Sequence, residues 1–323
     1  MRKSFVNAGL GLTLSAAAAL AQAGTSKCSA GFAQDACQQA YDVYQFMAPQ
    51  LGVALAGGNA TIGQGSVLGG IGHFSIGVRA NVFQGKLPDV GKFTQSLAGA
   101  QRQTLPTKDQ VLGLPTADAA LGIFKGFPLA LTNILGVDAL ASASYVPTIK
   151  GDASSSGSIA LTPQSNFQFG YGARVGLLSE SIVVPGVSVT WIKRDLPQTD
   201  LIGTSNGNTL NVKDFKVKTS AWRVVASKSF IVFGLAAGVG QDKYDQSGTI
   251  SGTSSGQTAT ASGTLPTMTR TNVFGDVSLN LPLFKLVVEG GQASGGTAAT
   301  YNSFKDAADR SLVYGSVGLR LSW

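Results

Sequence analysis

Nine charged side chains share one face of segments that alternate apolar with polar residues. They are Arg79, Arg174, Arg223, Lys285 and Arg320, with Asp118, Asp138, Asp276 and Glu289. Five cations against four anions is close to neutral, and such a set has two uses. It can pair internally and hold a narrow structure shut, or it can line a path and select solutes by charge, anions above all. Buried charge needs partners, so the paired arrangement is the plainer of the two. Other reactive groups are scarce. His73 is the sole imidazole, so general acid-base chemistry has one candidate. Cys28 and Cys37 lie nine apart with no CxxC spacing and no nearby histidine, which excludes zinc and leaves a local disulfide as the expected state. The run from Gly63 to Gly69 has GxGxxxG spacing without a strand-turn-helix context, and no Gly-Lys-Ser/Thr loop or Asp-rich calcium loop occurs. No cofactor, metal or catalytic residue is expected.

Elements that could position nine charges on one face begin after an export signal. Arg2-Lys3, the apolar stretch from Phe5 to Leu20 and Ala21-Gln22-Ala23 read as a signal peptide over 1–23. Cys28 follows Thr25-Ser26-Lys27 rather than a lipobox, so no lipid anchor is expected. Charged residues make up 13% of the chain, about half the roughly 25% of soluble proteins, and there are 42 glycines. Two of the 24 cations leave with the signal, so 22 remain against 17 acids. That mild surplus suits anionic lipid or a small anionic solute, and export argues against nucleic acid. Beyond the signal no apolar run reaches the ~18–20 residues of a spanning helix. A membrane form must therefore be a closed barrel, because lipid cannot satisfy open strand edges.

Period-two alternation recurs ten times. The outward rows are Phe74 to Val82, Ala117 to Ile123, Val137 to Tyr145, Phe167 to Leu177, Val187 to Trp191, Trp222 to Ala226, Ile231 to Val239, Val273 to Leu279, Phe284 to Val288, and the end of the chain. Short connections alternate with long ones at 85–115, 150–163, 196–209, 246–264 and 294–309, with 126–135 as a longer turn in a short slot. The pattern predicts an all-β, antiparallel up-and-down transmembrane barrel of about ten strands, within eight to twelve, with both chain ends in the periplasm. The Ser/Gly/Thr-rich tract 247–264 reads as a flexible surface loop. Ahead of the first strand, Cys37, Tyr41, Tyr44, Met47, Leu51 and Leu55 recur at helical spacing, which predicts an amphipathic helix bent or interrupted at Pro49 and ended by Gly57-Gly58. The divisions are thus 1–23 signal, 24–65 helical plug or periplasmic segment, and 66–323 barrel. Tyr41, Tyr44, Met47 and Leu51 would face the blocked end if the helix enters the barrel; otherwise it caps the barrel from below.

The last residues alternate Val313, Val317, Leu319, Leu321 and Trp323 with Tyr314, Ser316, Gly318, Arg320 and Ser322. This ending resembles the C-terminal assembly signal of bacterial outer-membrane proteins, with Leu319, Leu321 and Trp323 as its apolar row. The resemblance implies the outer membrane as location, with its lipids and the barrel-assembly machinery as partners. Gly57-Gly58-Asn59-Ala60, after the helix, is similar to the Asn-Pro-Ala-like turn in barrels related to long-chain fatty-acid transporters, although it has no proline and that family has fourteen strands. That likeness implies passive binding and passage of a small or hydrophobic solute, past a plug. A closed structural or surface-interaction barrel is the alternative, and a lipid-modifying enzyme resting on His73 is the third.

Overall fold

Alternating side chains pay off only where one face of a strand meets lipid and the other does not, and here that pattern closes one sheet on itself. The computed structural model describes residues 25–148, 159–294, 299–307 and 310–323. The expected signal peptide and most of the expected loop 150–163 lie outside them. The barrel strands are β1 (Phe74–Pro88), β2 (Thr107–Phe124), β3 (Gly136–Tyr145), β4 (Phe167–Leu178), β5 (Gly186–Asp195), β6 (Asn208–Ser229), β7 (Phe233–Ser254), β8 (Gln257–Asn280), β9 (Lys285–Ser294) and β10 (Leu312–Ser322). Each runs antiparallel to the next, and β10 closes on β1 in a register from Ser75↔Ser322 to Phe83↔Tyr314. This is the ten-stranded up-and-down barrel that the alternation predicts. Ile76, Val78, Leu319 and Leu321 point outward and are exposed, whereas Ser75, Arg79, Ser316 and Arg320 point inward and are buried.

The wall rises higher than expected. β7 and β8 are 22 and 24 residues long, joined by Ser255-Gly256 with φ of 49° and 77°. Positive φ at both centres is the type I′ geometry of a tight hairpin. The tract read as a flexible loop is therefore strand, and its composition has a packing cause. Ile250 and Ala259 are buried on the lumen side, and a Cβ at Gly252 would overlap the backbone of Cys37. β6 likewise starts at Asn208 rather than near Trp222. Its upper half pairs with Thr199–Ser205, which pairs in turn with Ile159–Pro163, so the expected loop 196–209 is mostly sheet. At the short-turn end, 126–135 holds a small hairpin of Phe127–Leu129 with Thr132–Ile134.

What these extensions enclose is helix α1 (Gln34–Ala56), which touches β1, β2, β5, β6, β7 and β8. It passes Pro49 without interruption, and its polar Asp35, Gln38, Gln39, Asp42 and Gln50 are as buried as its apolar residues. The polar face of the expected amphipathic helix is thus packed against the barrel as closely as its apolar face. The even strand count puts the start of β1 at the short-turn end, as expected, but the segment before it begins at the opposite end. Residues Ala30 to Gln34 lie beside Leu97 to Gly99 and the hairpin residue Gln257. From there α1 descends the lumen, stops at Gly57 (φ 59°), and 57–72 continues down to β1. Of the two placements expected for 24–65, plug or periplasmic cap, the described residues take the plug, although it enters from the long-loop end; ten strands enclose more room than the eight whose lumen side chains alone fill.

Candidate functional site

A helix ends with carbonyl groups that have no partner within it. In this chain the barrel wall supplies those partners. Arg194 on β5 donates to the carbonyl of Ala56 (3.1 Å), and Arg223 on β6 donates to Gly57 (2.9 Å) and Gly58 (3.1 Å). Arg79 on β1 reaches Asn59 O (2.5 Å), Arg320 on β10 reaches Ile62 O (3.0 Å), and Arg174 on β4 donates to the Thr61 hydroxyl. Asn272 adds a second donor to Gly57 O (3.0 Å). Five guanidinium groups from five strands thus converge on seven residues of backbone.

Each cation is itself anchored with few exceptions. Asp118 bridges Arg79 (2.9 Å) and Arg194 (2.7 Å), Asp138 holds Arg174 (2.7 Å), and Asp242 holds Arg223 (2.5 Å). Asp276 and Glu289 pair across β8 and β9 and form no ion pair among the described residues. They accept from the threaded backbone instead: Asn59 N donates to Glu289 (2.7 Å), while Asn59 Nδ2 (2.8 Å) and Gly63 N (2.9 Å) donate to Asp276. A Cβ at Gly58 would strike the Glu289 carboxylate, which would have to give up its place against Asn59 to admit it. Lys285 is not brought in. It is the first residue of β9, half-buried opposite Arg320, and joins no ion pair among the described residues. Two members of the clamp, Arg194 and Asp242, lie just past the ends of the strands read from sequence. Continuing the inward rows Thr190-Ile192-Arg194 and Gly238-Gly240-Asp242 by one or two steps would have found both.

Above the clamp the packing is apolar. The Tyr44 ring meets Phe215 edge-on at 5.3 Å and its hydroxyl donates to Gly263 O (3.1 Å). Tyr41 lies edge-on to Tyr44 at 6.2 Å, Phe46 stacks on Phe304 at 4.2 Å, and Met47 and the half-buried Leu51 fill the same core. Cys28 and Cys37 are joined by a disulfide at the head of α1. Two carboxylates of α1 hold the loops across the mouth. Asp35 accepts the amides of Ser96 (2.7 Å) and Gln101 (3.0 Å). Asp42 accepts the amides of Tyr301 (2.9 Å) and Asn302 (3.0 Å) and the Asn302 side chain (2.8 Å). Burial raises both acids, Asp42 to about 6, against the pull of those donors. Above that pH Asp42 is mainly the acceptor its neighbours require. Replacing it with Ala orphans three donors of the 301–302 segment, so Asp42→Ala should cost about 3 kcal/mol in urea unfolding. Amide exchange at 301–302 should accelerate with it, and unchanged exchange would refute the assignment.

His73 is exposed beside the start of β1, where its amide and carbonyl bond to Gly70 and Gly122. Leu319, Leu321 and Trp323 face outward, and Trp323 stacks on Phe74 at 4.9 Å. The lower lumen retains a cavity of about 10 Å³ between Thr61, Ile62, Arg79, Asp118 and Arg320, room for one water.

A closed antiparallel barrel with an apolar outer wall and a charged lumen is an outer-membrane β-barrel protein, since no other arrangement of strands satisfies its backbone in lipid. No protein-family model and no curated protein matches the sequence. Among solved structures, the Pseudomonas putida toluene transporter TodX aligns at 8% identity and a TM-score of 0.38, over 83% of this chain and 96% of that one. The Ralstonia pickettii toluene transporter TbuX aligns at 12% identity and 0.31, over 83% and 95%. The transport unit of the Escherichia coli autotransporter AIDA-I aligns at 9% identity and 0.32, over 89% and 99%. All are membrane barrels, and the likeness extends no further than that.

Proposed function

We propose that this protein is a self-plugged outer-membrane barrel, closed in the state seen here, that passes a small solute, hydrophobic or weakly anionic, when residues 25–60 leave the lumen. The supporting observation is the clamp. Arg194, Arg223 and Arg79 bind the end of the plug through the backbone carbonyls of 56–59, while Arg320 and Arg174 hold Ile62 and Thr61 just below it, and such polar contacts can be exchanged for water as the segment withdraws. With 25–60 withdrawn, the lumen would present Arg79, Arg194 and Arg223 with Asp118, Asp242 and Glu289, a polar path near neutrality beside the remaining residues 61–72. The second reading is a barrel that never opens and serves the envelope by its tall outer wall. It is favoured by a lower-lumen cavity with room for one water between Thr61, Ile62, Arg79, Asp118 and Arg320.

Conductance separates the two. The full chain refolded into liposomes should be silent, and the chain lacking 25–60 should carry ion current and admit small solutes in a swelling assay. A folded deletion variant that stays silent would leave the closed barrel as the function.

A further inference from the structure

Turn tips that face water are built from polar and small residues. The short-turn end of this barrel is not. Ile231 and Val232 form the β6–β7 turn, Leu283 lies between β8 and β9, Ile182 and Val183 between β4 and β5, and Leu131 in the hairpin after β2. Ile231 is 96% exposed, Ile182 95% and Leu283 80%, beyond any apolar residue of the barrel wall. An apolar crown on four successive connections is continuous with the lipid-facing surface above it.

Height makes the same point. On β8 the outward apolar row runs from Val273 to Leu279, with threonines above it. Six steps of about 3.4 Å, tilted by about 40°, give about 15 Å of height, against the roughly 25 Å apolar band of such barrels. Carrying the row on to Leu281, where the chain turns back, makes eight steps and about 21 Å, and the tip residues Pro282-Leu283 reach a little beyond. The aromatic residues differ between the ends as well. Tyr145, Tyr171, Trp191 and Trp222, with Phe167 and Phe169, ring the long-loop side, whereas Phe74, Phe124, Phe127, Phe230, Phe233 and Phe284, with Trp323 and no tyrosine among the described residues, ring the other. Tyrosine and tryptophan carry the polar handle that suits an interface, and phenylalanine does not.

Polar groups at these turns are turned inward on one another, as immersion requires. Lys228 folds its ammonium onto the carbonyls of Ser181, Ile182 (2.8 Å) and Val184 (3.5 Å). Asn280 donates its side chain to Phe230 O (2.7 Å) and its amide to Val232 O (2.7 Å), and Leu281 N bonds Phe284 O (2.9 Å). We propose that the β2–β3, β4–β5, β6–β7 and β8–β9 turns sit within the acyl chains of the periplasmic leaflet, not in periplasmic water. Exposed His73, before β1, and Lys125, the first residue of the β2–β3 connection, stay at the headgroups, so that connection enters the acyl chains only from Phe127 on.

Depth-resolved quenching tests this. Ile231→Cys and Leu283→Cys, labelled with a thiol-reactive fluorophore, would be refolded into phosphatidylcholine vesicles with brominated chains; the native cysteines are tied to each other. Val277→Cys on the wall and Gln257→Cys at the hairpin tip serve as lipid and water references. Both turn labels should be quenched by bromine like the Val277 label and spared by aqueous iodide. Quenching like the Gln257 label would overturn the proposal and leave the crown to a periplasmic protein partner. Retained heat-modifiable mobility shows that each labelled barrel is folded.

Discussion

Replacing Arg223 with Met should be among the most damaging single changes in the lumen, lowering stability by about 3–5 kcal/mol in urea. The side chain is fully buried and serves five acceptors: the carbonyls of Gly57, Gly58, Trp222 (3.0 Å) and Gln241 (3.4 Å) and the Asp242 carboxylate. Methionine matches most of its volume, so little of the loss would come from a cavity. What remains is an Asp242 carboxylate, itself fully buried, that keeps Tyr244 (3.1 Å) and Asn272 (3.2 Å) as donors but no longer has the Arg223 guanidinium. Gly57 O keeps Asn272, and Gly58 O loses its donor. Removing the stranded charge should therefore recover part of the loss, and Arg223→Met/Asp242→Asn should be more stable than Arg223→Met alone. A double variant as unstable as the sum of the two single ones would show that the pair is not coupled, and that the arginine acts only through the plug.

How much of this could be read from residues in order depends on what each pattern reports. The two-residue period reports which face of a strand meets lipid, so it located ten strands and put Arg79, Asp118, Asp138, Arg174, Arg223, Asp276, Glu289 and Arg320 on the lumen side. It falls silent where a strand leaves the membrane, because the outward face then becomes polar as well. On β7 the outward row passes from Val239 to Gln241 and Lys243 while the inward row still packs, which is why Asp242 was missed. The Asn206-Gly207 turn, with φ of 47° and 81°, was a hairpin signal flanked by alternation and marks the sheet above β5. The threading of α1 had no comparable local sign. Polar residues at Asp35, Gln39 and Asp42 look solvent-facing until the partners, amides and carbonyls of distant loops, are in place. Backbone partners carry no side-chain signature. For the same reason Asp276 and Glu289 read as ion-pair members when they in fact receive the N–H groups of Asn59 and Gly63.

Asp118 offers the sharper test of how the clamp divides its charge, because it is one carboxylate serving two cations. Its two oxygens take Arg79 at 2.9 Å and Arg194 at 2.7 Å. Both guanidinium groups are buried, and Asp138 is already engaged by Arg174. Asp118→Asn keeps the shape and removes the charge, leaving two like charges facing each other out of water. Their remaining acceptors are the carbonyls of Asn59 and Ala56 and the hydroxyl of Ser142, none of which is an anion. A loss of about 3–5 kcal/mol is expected. The ordering is the telling part. Arg79→Met leaves the Arg194–Asp118 pair intact and should cost less than Asp118→Asn, although it deletes more atoms and also frees Asn59 O. If deletion of contact area governed the lumen, the order would reverse. Urea titrations of the two variants, refolded side by side in the same vesicles, decide between charge balance and packing as what keeps the threaded segment in place.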